Sequence, residues 1–354
     1  MSGASSPKPA SVVVPADALR AFAVAAFAAA GLAEPHASTV ADVLVWANLR
    51  GVDTHGVSRM PRYVDMLRNG DMNANPHWSL AVDVPAAMVL DADRAPGPSA
   101  MAHGTRLAVE RARIAGISMV LVRGTTHTGP LGYYTSLAAR AGMAAIAMSA
   151  SGPNMAYHGA RAAGVATNPL SIAVPGGDAN PLVVDTATSV ISLGRIMSAR
   201  RLGESLPPGM AIDRDGNPST DPKVAEIPLP LGGPKGSGLS LLMECVVSLL
   251  AGNPIISAAL EGTPEGLRHR QNGLVIAIDI ARFGAVDAFR AEVARLVRDI
   301  KALPADPEAG GILVPGERGD RLYARRCREG IPLPRPVHAE LRSLAAALNV
   351  ALPA

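Results

Sequence analysis

Arg50-Gly51-Val52-Asp53-Thr54-His55-Gly56-Val57-Ser58-Arg59-Met60-Pro61-Arg62-Tyr63 is the stretch around which the chain is read. Asp53 or Thr54 can cap a helix whose amphipathic continuation runs towards Gly70. On such a helix His55 and Arg59, four residues apart, project from one face about one turn from each other. A guanidinium there can grip a carboxylate with two parallel hydrogen bonds. An imidazole one turn away can exchange a proton with an oxygen on the adjacent carbon, and the Thr54 hydroxyl can orient that imidazole. The pairing suits a small 2-oxo or 2-hydroxy acid. Spacing alone also allows a plain helix start carrying a surface His and Arg.

Upstream, Pro15 to Gly31 and Glu34 to Leu49 carry apolar residues at helical spacing, so the quoted stretch opens a third helix. Residues 1–14 read as a loose tail that can pair through Val12-Val13-Val14. Asp71 to Pro76 is a turn-rich exit and a boundary. Beyond it strands are expected at Ala87–Asp91, Ile117–Val122, Met143–Ser149, Pro181–Val184, Leu274–Ile280 and Ile312–Val314, with helices at Ser99–Ala115 and Val286–Ala302. Asp320 to Ala354 reads as helical, punctuated by Pro332, Pro334 and Pro336.

Between the second and third of these strands lies Gly124-Thr125-Thr126-His127-Thr128-Gly129-Pro130-Leu131-Gly132-Tyr133-Tyr134, followed by a helix. A Gly-containing turn at a helix start presents free backbone N–H groups, a ready place for phosphate. An ordinary connection with a satisfied histidine is the competing reading. Asp185 can cap the helix running to Arg201 or hold a sugar hydroxyl. Lys235 sits among glycines in Leu231-Gly232-Gly233-Pro234-Lys235-Gly236 at another helix start and suits a point charge on phosphate. It is one of only four lysines, at 8, 223, 235 and 301. Neither a P-loop nor a G-x-G-x-x-G fingerprint is present.

Composition narrows the function classes. The chain has 354 residues, 48% hydrophobic and 18% charged, which suits two or three globular domains. A net charge of +3 with scattered basic residues and 3% aromatics argues against nucleic-acid binding. Cys245 and Cys327 give neither zinc-ligand spacing nor a disulfide framework, which fits a reducing cytosol, and no metal site is expected. No stretch is apolar enough for a membrane span. Ala21 to Leu32 superficially resembles a signal-peptide core, but it lies late, follows Asp17 and ends in Gly31 like a helix C-terminus.

Five motifs, in order, carry a resemblance over nearly the whole chain: Leu49 to Gly56; His127-Thr128-Gly129 before Gly132-Tyr133-Tyr134; Thr167-Asn168-Pro169; Asp185-Thr186-Ala187-Thr188-Ser189; and Gly233-Pro234-Lys235-Gly236. The chain thereby resembles the malate/L-lactate dehydrogenase family of NAD(P)-dependent oxidoreductases. The resemblance implies an α/β (α+β) fold of the family's own, non-Rossmann kind, with a mixed, largely antiparallel sheet. It also implies a helical substrate and catalytic segment, 1–76, packed with the C-terminal 320–354, and an NAD(P)-binding α/β domain, 77–319.

By the same resemblance Thr54, His55 and Arg59 fall on the hydroxyl, the proton-exchanging histidine and the carboxylate-binding arginine. His127 falls on a cofactor contact or second catalytic histidine, and Thr167 on a substrate contact. Thr128, Gly129, Leu131, Ser151, Asp185, Thr186, Ala187, Lys235, Gly236, Gly316 and Glu317 match cofactor-binding positions. The implied reaction is hydride transfer between NAD or NADP and a 2-hydroxy or 2-oxo acid of malate, lactate, sulfolactate or ureidoglycolate type. Imine-reducing relatives carry an acidic residue where this chain has Arg195, so Arg195 is expected either to bind a second anionic group of a hydroxy acid or to pair with Glu204 on the surface. The alternatives are a cyclic imino acid reductase and a non-enzymatic NAD(P)H-binding homologue. The family's members are dimers or larger, so a cytoplasmic homo-oligomer is expected, with neither nucleic acid nor membrane as partner.

Overall fold

The computed structural model describes residues 11–177 and 180–353; most of the expected N-terminal tail lies outside them. Strand β1 (Ser11–Val14) does pair, antiparallel, with β13 (Ile331–Pro334), setting Val12 against Leu333 and Val14 against Ile331. Helices α1 (Ala16–Ala29) and α2 (Glu34–Leu49) follow as expected. α2 is buried along much of its length, which is why its apolar residues are not confined to one stripe. Leu19, Phe27, Leu44, Met60 and Tyr63 share one core with Ile331 and Leu341, so the two ends of the chain close on each other. Leu341 belongs to α12 (Arg335–Leu348).

The long third helix expected from Thr54 is not formed. Asp53–His55 and Val57–Arg59 are two separate 3₁₀ turns, and the α-helix α3 runs only from Met60 to Arg68. Gly56 between the turns is extended, and a Cβ there would overlap the Asn48 amide. Asn48 Oδ1 instead accepts the Val57 N–H at 2.8 Å. Pro61 then starts α3, where its missing N–H costs nothing.

After α3 the chain builds a seven-stranded sheet in the order β2-β3-β4-β12-β5-β8-β9. Its strands are β2 (Ser79–Val84), β3 (Ala87–Asp91), β4 (Ile117–Thr125), β5 (Met143–Ser151), β8 (Leu170–Val174), β9 (Leu182–Thr186) and β12 (Gln271–Asp279). Only β3 and β4 run parallel, joined by α4 (Gly97–Ala115); every other pairing is antiparallel. The sheet is therefore mixed and largely antiparallel, unlike a doubly wound one. β2 and β8 carried no strand assignment from sequence.

Central β12 lies between β4 and β5, with Leu274, Val275 and Ala277 fully buried. Helices α4 and α5 (Leu131–Arg140) cover one face with alanine and methionine side chains, as the low aromatic content requires. Two-stranded ribbons β6 (Met155–Ala156) with β7 (Ala163–Val165) and β10 (Ala211–Ile212) with β11 (Ile227–Pro228) flank α6 (Leu193–Leu202) and α7 (Pro234–Glu244). The remaining helices are α8 (Ile256–Leu260), α9 (Pro264–Leu267), α10 (Val286–Lys301) and α11 (Glu317–Glu329). The strand expected at Ile312–Val314 is not formed. That segment is irregular and gives the sheet edge one bond, from Val183 N–H to the Pro315 carbonyl at 3.4 Å.

Candidate active site

The first 3₁₀ turn is pinned from three directions. Asn48 Nδ2 donates to Asp53 Oδ1 at 2.7 Å, and Arg326 of α11 grips both carboxylate oxygens at 2.8 and 3.2 Å while also donating to the Asn48 carbonyl. Arg50 pairs with Asp320 and donates to the Gly316 carbonyl at 3.0 Å, so α11 holds this turn at both ends. Thr54 Oγ1 lies 3.1 Å from His55 Nδ1. Arg59 Nε donates to the Thr54 carbonyl at 2.7 Å, which leaves its two terminal NH₂ groups for a ligand. Close packing of Gly194 keeps them in place: a Cβ there would lie 2.9 Å from Arg59 Nη2 and 3.0 Å from Thr54 Cβ.

His127 follows the end of β4. Thr126 Oγ1 donates to the Ala95 carbonyl at 3.1 Å, Gln271 of β12 accepts the Thr128 N–H at 3.1 Å, and the Tyr134 hydroxyl donates to the Thr128 carbonyl. The loop is thus clamped to strand and helix on both sides of His127. Tyr63, fully buried on α3, places its hydroxyl 2.6 Å from His127 Nδ1 and 3.3 Å from the His127 carbonyl oxygen. The two imidazoles stack, with centroids 5.5 Å apart and planes at 21°.

These groups open onto one cleft of about 410 Å³. His55, Arg59, His127, Thr128, Gly129, Ser151 and Thr167 line it, with Gly194 and the Gly266 to Gln271 segment on other walls. Among the described residues four arginines and three histidines line the cleft, and no carboxylate does. Solvent reaches part of each imidazole, yet burial and then the Arg59 charge lower His55 to about 3 and push His127 well below the usual histidine range. Burial, then Arg62, lowers His269 to about 4. All three are neutral at pH 7 in the free protein.

Each of these histidines takes up a proton near pH 6.5 only when unfolded. Stability is therefore full above that pH and is lost as pH falls towards the folded values. Between pH 7 and 5 the melting temperature of the free protein should drop by roughly 3 °C or more, and His269→Gln should flatten part of that slope. Superimposable slopes for the two proteins would contradict the assignment.

Other expected residues gather elsewhere. Ser192, not Asp185, caps α6, its hydroxyl accepting the Arg195 N–H at 3.1 Å. Asp185 Oδ2 instead accepts the Gly132 N–H at 2.8 Å, at the start of α5 where Leu131 is fully buried. Dense packing around this otherwise accessible carboxyl raises it to about 6, against the opposing pull of the Gly132 N–H and Arg50. Arg195 is not brought to the cleft: capping by Ser192 sets it on the outer turn of α6, where it pairs with Glu204 at 3.0 Å. Glu317 pairs with Lys301 at 2.6 Å and with Arg321, which hold it near 2.

Two observations bear on a dinucleotide. Among the described residues no carboxylate pairs with Lys235, which stands exposed at the start of α7. Below it Gly236 packs so closely on the Thr188 carbonyl that a Cβ would collide, while the buried Thr188 and Ser189 hydroxyls have no protein partner. An unpaired cation beside spare hydroxyls fits a phosphate-bearing cofactor. Sequence reasoning missed Tyr63, Arg62, His269, Gln271 and Arg326 as site residues. Arg62 and Tyr63 had a local signal, lying about one helical turn beyond Arg59.

A cleft lined by histidines and arginines on a mixed, largely antiparallel sheet without a glycine fingerprint lies outside the doubly wound class. The model of the family described as malate/L-lactate dehydrogenase matches residues 14–342, and the chain belongs to that family. It is 35% identical over 349 residues to malate dehydrogenase of Pyrococcus horikoshii, covering 95% of this chain and 96% of that one. It is 33% identical over 307 residues to ureidoglycolate dehydrogenase (NAD(+)) of Escherichia coli, covering 86% and 87%. The crystal structure of malate dehydrogenase from Entamoeba histolytica superposes with a TM-score of 0.92 at 28% identity, over 97% of this chain and all of that one.

Proposed function

We propose that this cleft oxidises a small 2-hydroxy acid at its CH–OH carbon and, in reverse, reduces the 2-oxo acid, with Arg59 holding the carboxylate and His127 exchanging the hydroxyl proton. The observation that supports this most is the convergence of Arg59, His55 and His127 on one cleft that, among the described residues, no carboxylate lines. With its Nε braced on Thr54, Arg59 offers a fixed pair of donors to the carboxylate.

His127 is chosen over His55 because of what orients each ring. The buried Tyr63 hydroxyl lies 2.6 Å from His127 Nδ1, so it holds that ring through Nδ1 and leaves Nε2 for the substrate. The Thr54 hydroxyl makes the longer contact, 3.1 Å to His55 Nδ1, and so orients that ring less tightly. His55, stacked alongside, offers a second neutral nitrogen to the substrate oxygen, and Thr167 adds a wall contact. When bound, the nicotinamide supplies the hydride chemistry. Thr128, Gly129, Leu131, Ser151, Asp185, Thr186, Ala187, Lys235, Gly236, Gly316 and Glu317 are read as the residues that hold the cofactor, NAD or NADP.

Residues 1–76 with 320–354 act as the substrate-carrying unit and 77–319 as the cofactor-carrying one; the shared core of the chain's two ends supports this. A homodimer is favoured by an apolar face left bare on α7 and the turn after it, where Leu242 is 64% and Leu250 61% exposed. Two free thiols favour the cytosol. The test is a panel of malate, lactate, sulfolactate and ureidoglycolate with both cofactors. Turnover of a piperideine-carboxylate with none of these would overturn the hydroxy-acid reading.

A further inference from the structure

We propose that Arg62, seated against His269 at the cleft, binds a second acidic group of the substrate, so that the acid taken is a dianion, a dicarboxylate or a sulfo-carboxylate. This rests on the hydroxy-acid reading and narrows its substrate class.

Of the four arginines that line the cleft, three have other work. Arg59 braces the Thr54 carbonyl and faces the reacting carboxylate. Arg268 reaches Asp71 at 3.5 Å and the Gly70 carbonyl at 3.2 Å. Arg270 donates to the Pro254 carbonyl at 3.0 Å. Arg62 meets only the His269 ring, at 3.5 Å from Nδ1, and among the described residues no carboxylate pairs with it. A neutral imidazole cannot offset a guanidinium, so this charge is uncompensated in the free protein.

Position supports the same reading. Arg59 ends the second 3₁₀ turn and Arg62 lies in the first turn of α3, three residues on, so their stems are about 5–6 Å apart if the spacing is helical. Two long guanidinium arms from neighbouring turns can close on the two ends of a three- or four-carbon diacid. A monoanion leaves Arg62 unanswered in a cleft that no carboxylate lines among the described residues. Arg195, the expected second cation, is spent on Glu204.

The test compares wild type with Arg62→Ala and Arg62→Lys, using malate against 2-hydroxybutanoate. A charge-assisted contact made by an exposed guanidinium predicts that the malate preference, as a ratio of kcat/KM values, falls about tenfold in Arg62→Ala and is largely restored in Arg62→Lys. Calorimetric binding of succinate and butanoate, which needs no turnover, should show the same change in ratio. An unchanged ratio, an equal loss for both acids, or a loss confined to NADH affinity would each overturn the assignment to a substrate dianion. If wild type oxidised neither hydroxy acid, the hydroxy-acid reading would fail on its own account, and calorimetry would still decide the role of Arg62.

Discussion

Arg59→Ala should raise KM for the hydroxy acid by about 100-fold or more, because truncating one partner of a desolvated charge pair strands the other. The guanidinium stays protonated although burial, then Arg62 and Arg201, lower its pKa while Tyr63 raises it. Among the described residues no carboxylate forms an ion pair with it, and its Nε is fixed on the Thr54 carbonyl at 2.7 Å. Nothing else in the cleft duplicates a forked donor at that place. Arg59→Lys should recover only part of the loss, since an ammonium cannot make two parallel bonds. Because the carboxylate is held in ground and transition states alike, KM should move further than kcat. Steady-state oxidation at saturating cofactor measures the split, and a KM within threefold of wild type would remove Arg59 from the substrate.

His127→Ala should lower kcat in both directions by about 10³-fold, within the range expected for a positioned acid–base group. NADH affinity, measured by fluorescence, should change far less. His55→Ala should cost less, roughly tenfold, if its part is a neutral hydrogen bond. Tyr63→Phe is the sharper control. It keeps the buried ring but removes the hydroxyl that holds the imidazole through Nδ1, and about a tenfold loss in kcat is expected from one lost orienting bond. The rank order is the measurement: a larger loss in His55→Ala than in His127→Ala would exchange the two roles.

How far the sequence reached can be judged at single residues. It read the meeting of His55 and Arg59 from helical spacing, whereas the chain brings both to the cleft through two 3₁₀ turns broken at Gly56. The cue for the true helix start was Pro61, a residue favoured at that position. Strand and helix order in the sheet was largely legible because alternating and 3.6-residue patterns are local. Leu170–Val174 was obscured by neighbouring Asn168 and Pro169, which look like a turn. Ile312–Val314 has a strand's composition but no room in the ladder, and gives β9 a single bond.

The site divides in the same way. Residues in contiguous motifs were named in advance. Arg62 and His269, 207 positions apart, meet only because α3 and the α9–β12 connection fold onto one cleft, and no local pattern encodes that. For Arg195 the sequence left open a second anion site or a surface pair with Glu204; the hydroxyl cap from Ser192 and the partner Glu204 give the pair.

The clasp of Arg326 on Asp53 joins residues 273 positions apart, and β1 closes on β13 across a similar span. On the ribosome, the turn carrying Thr54 and His55 is made early and waits through the 273 positions that separate Asp53 from its counter-ion. Competence for chemistry should therefore arrive late and abruptly during synthesis, well after the sheet's inner strands can pair.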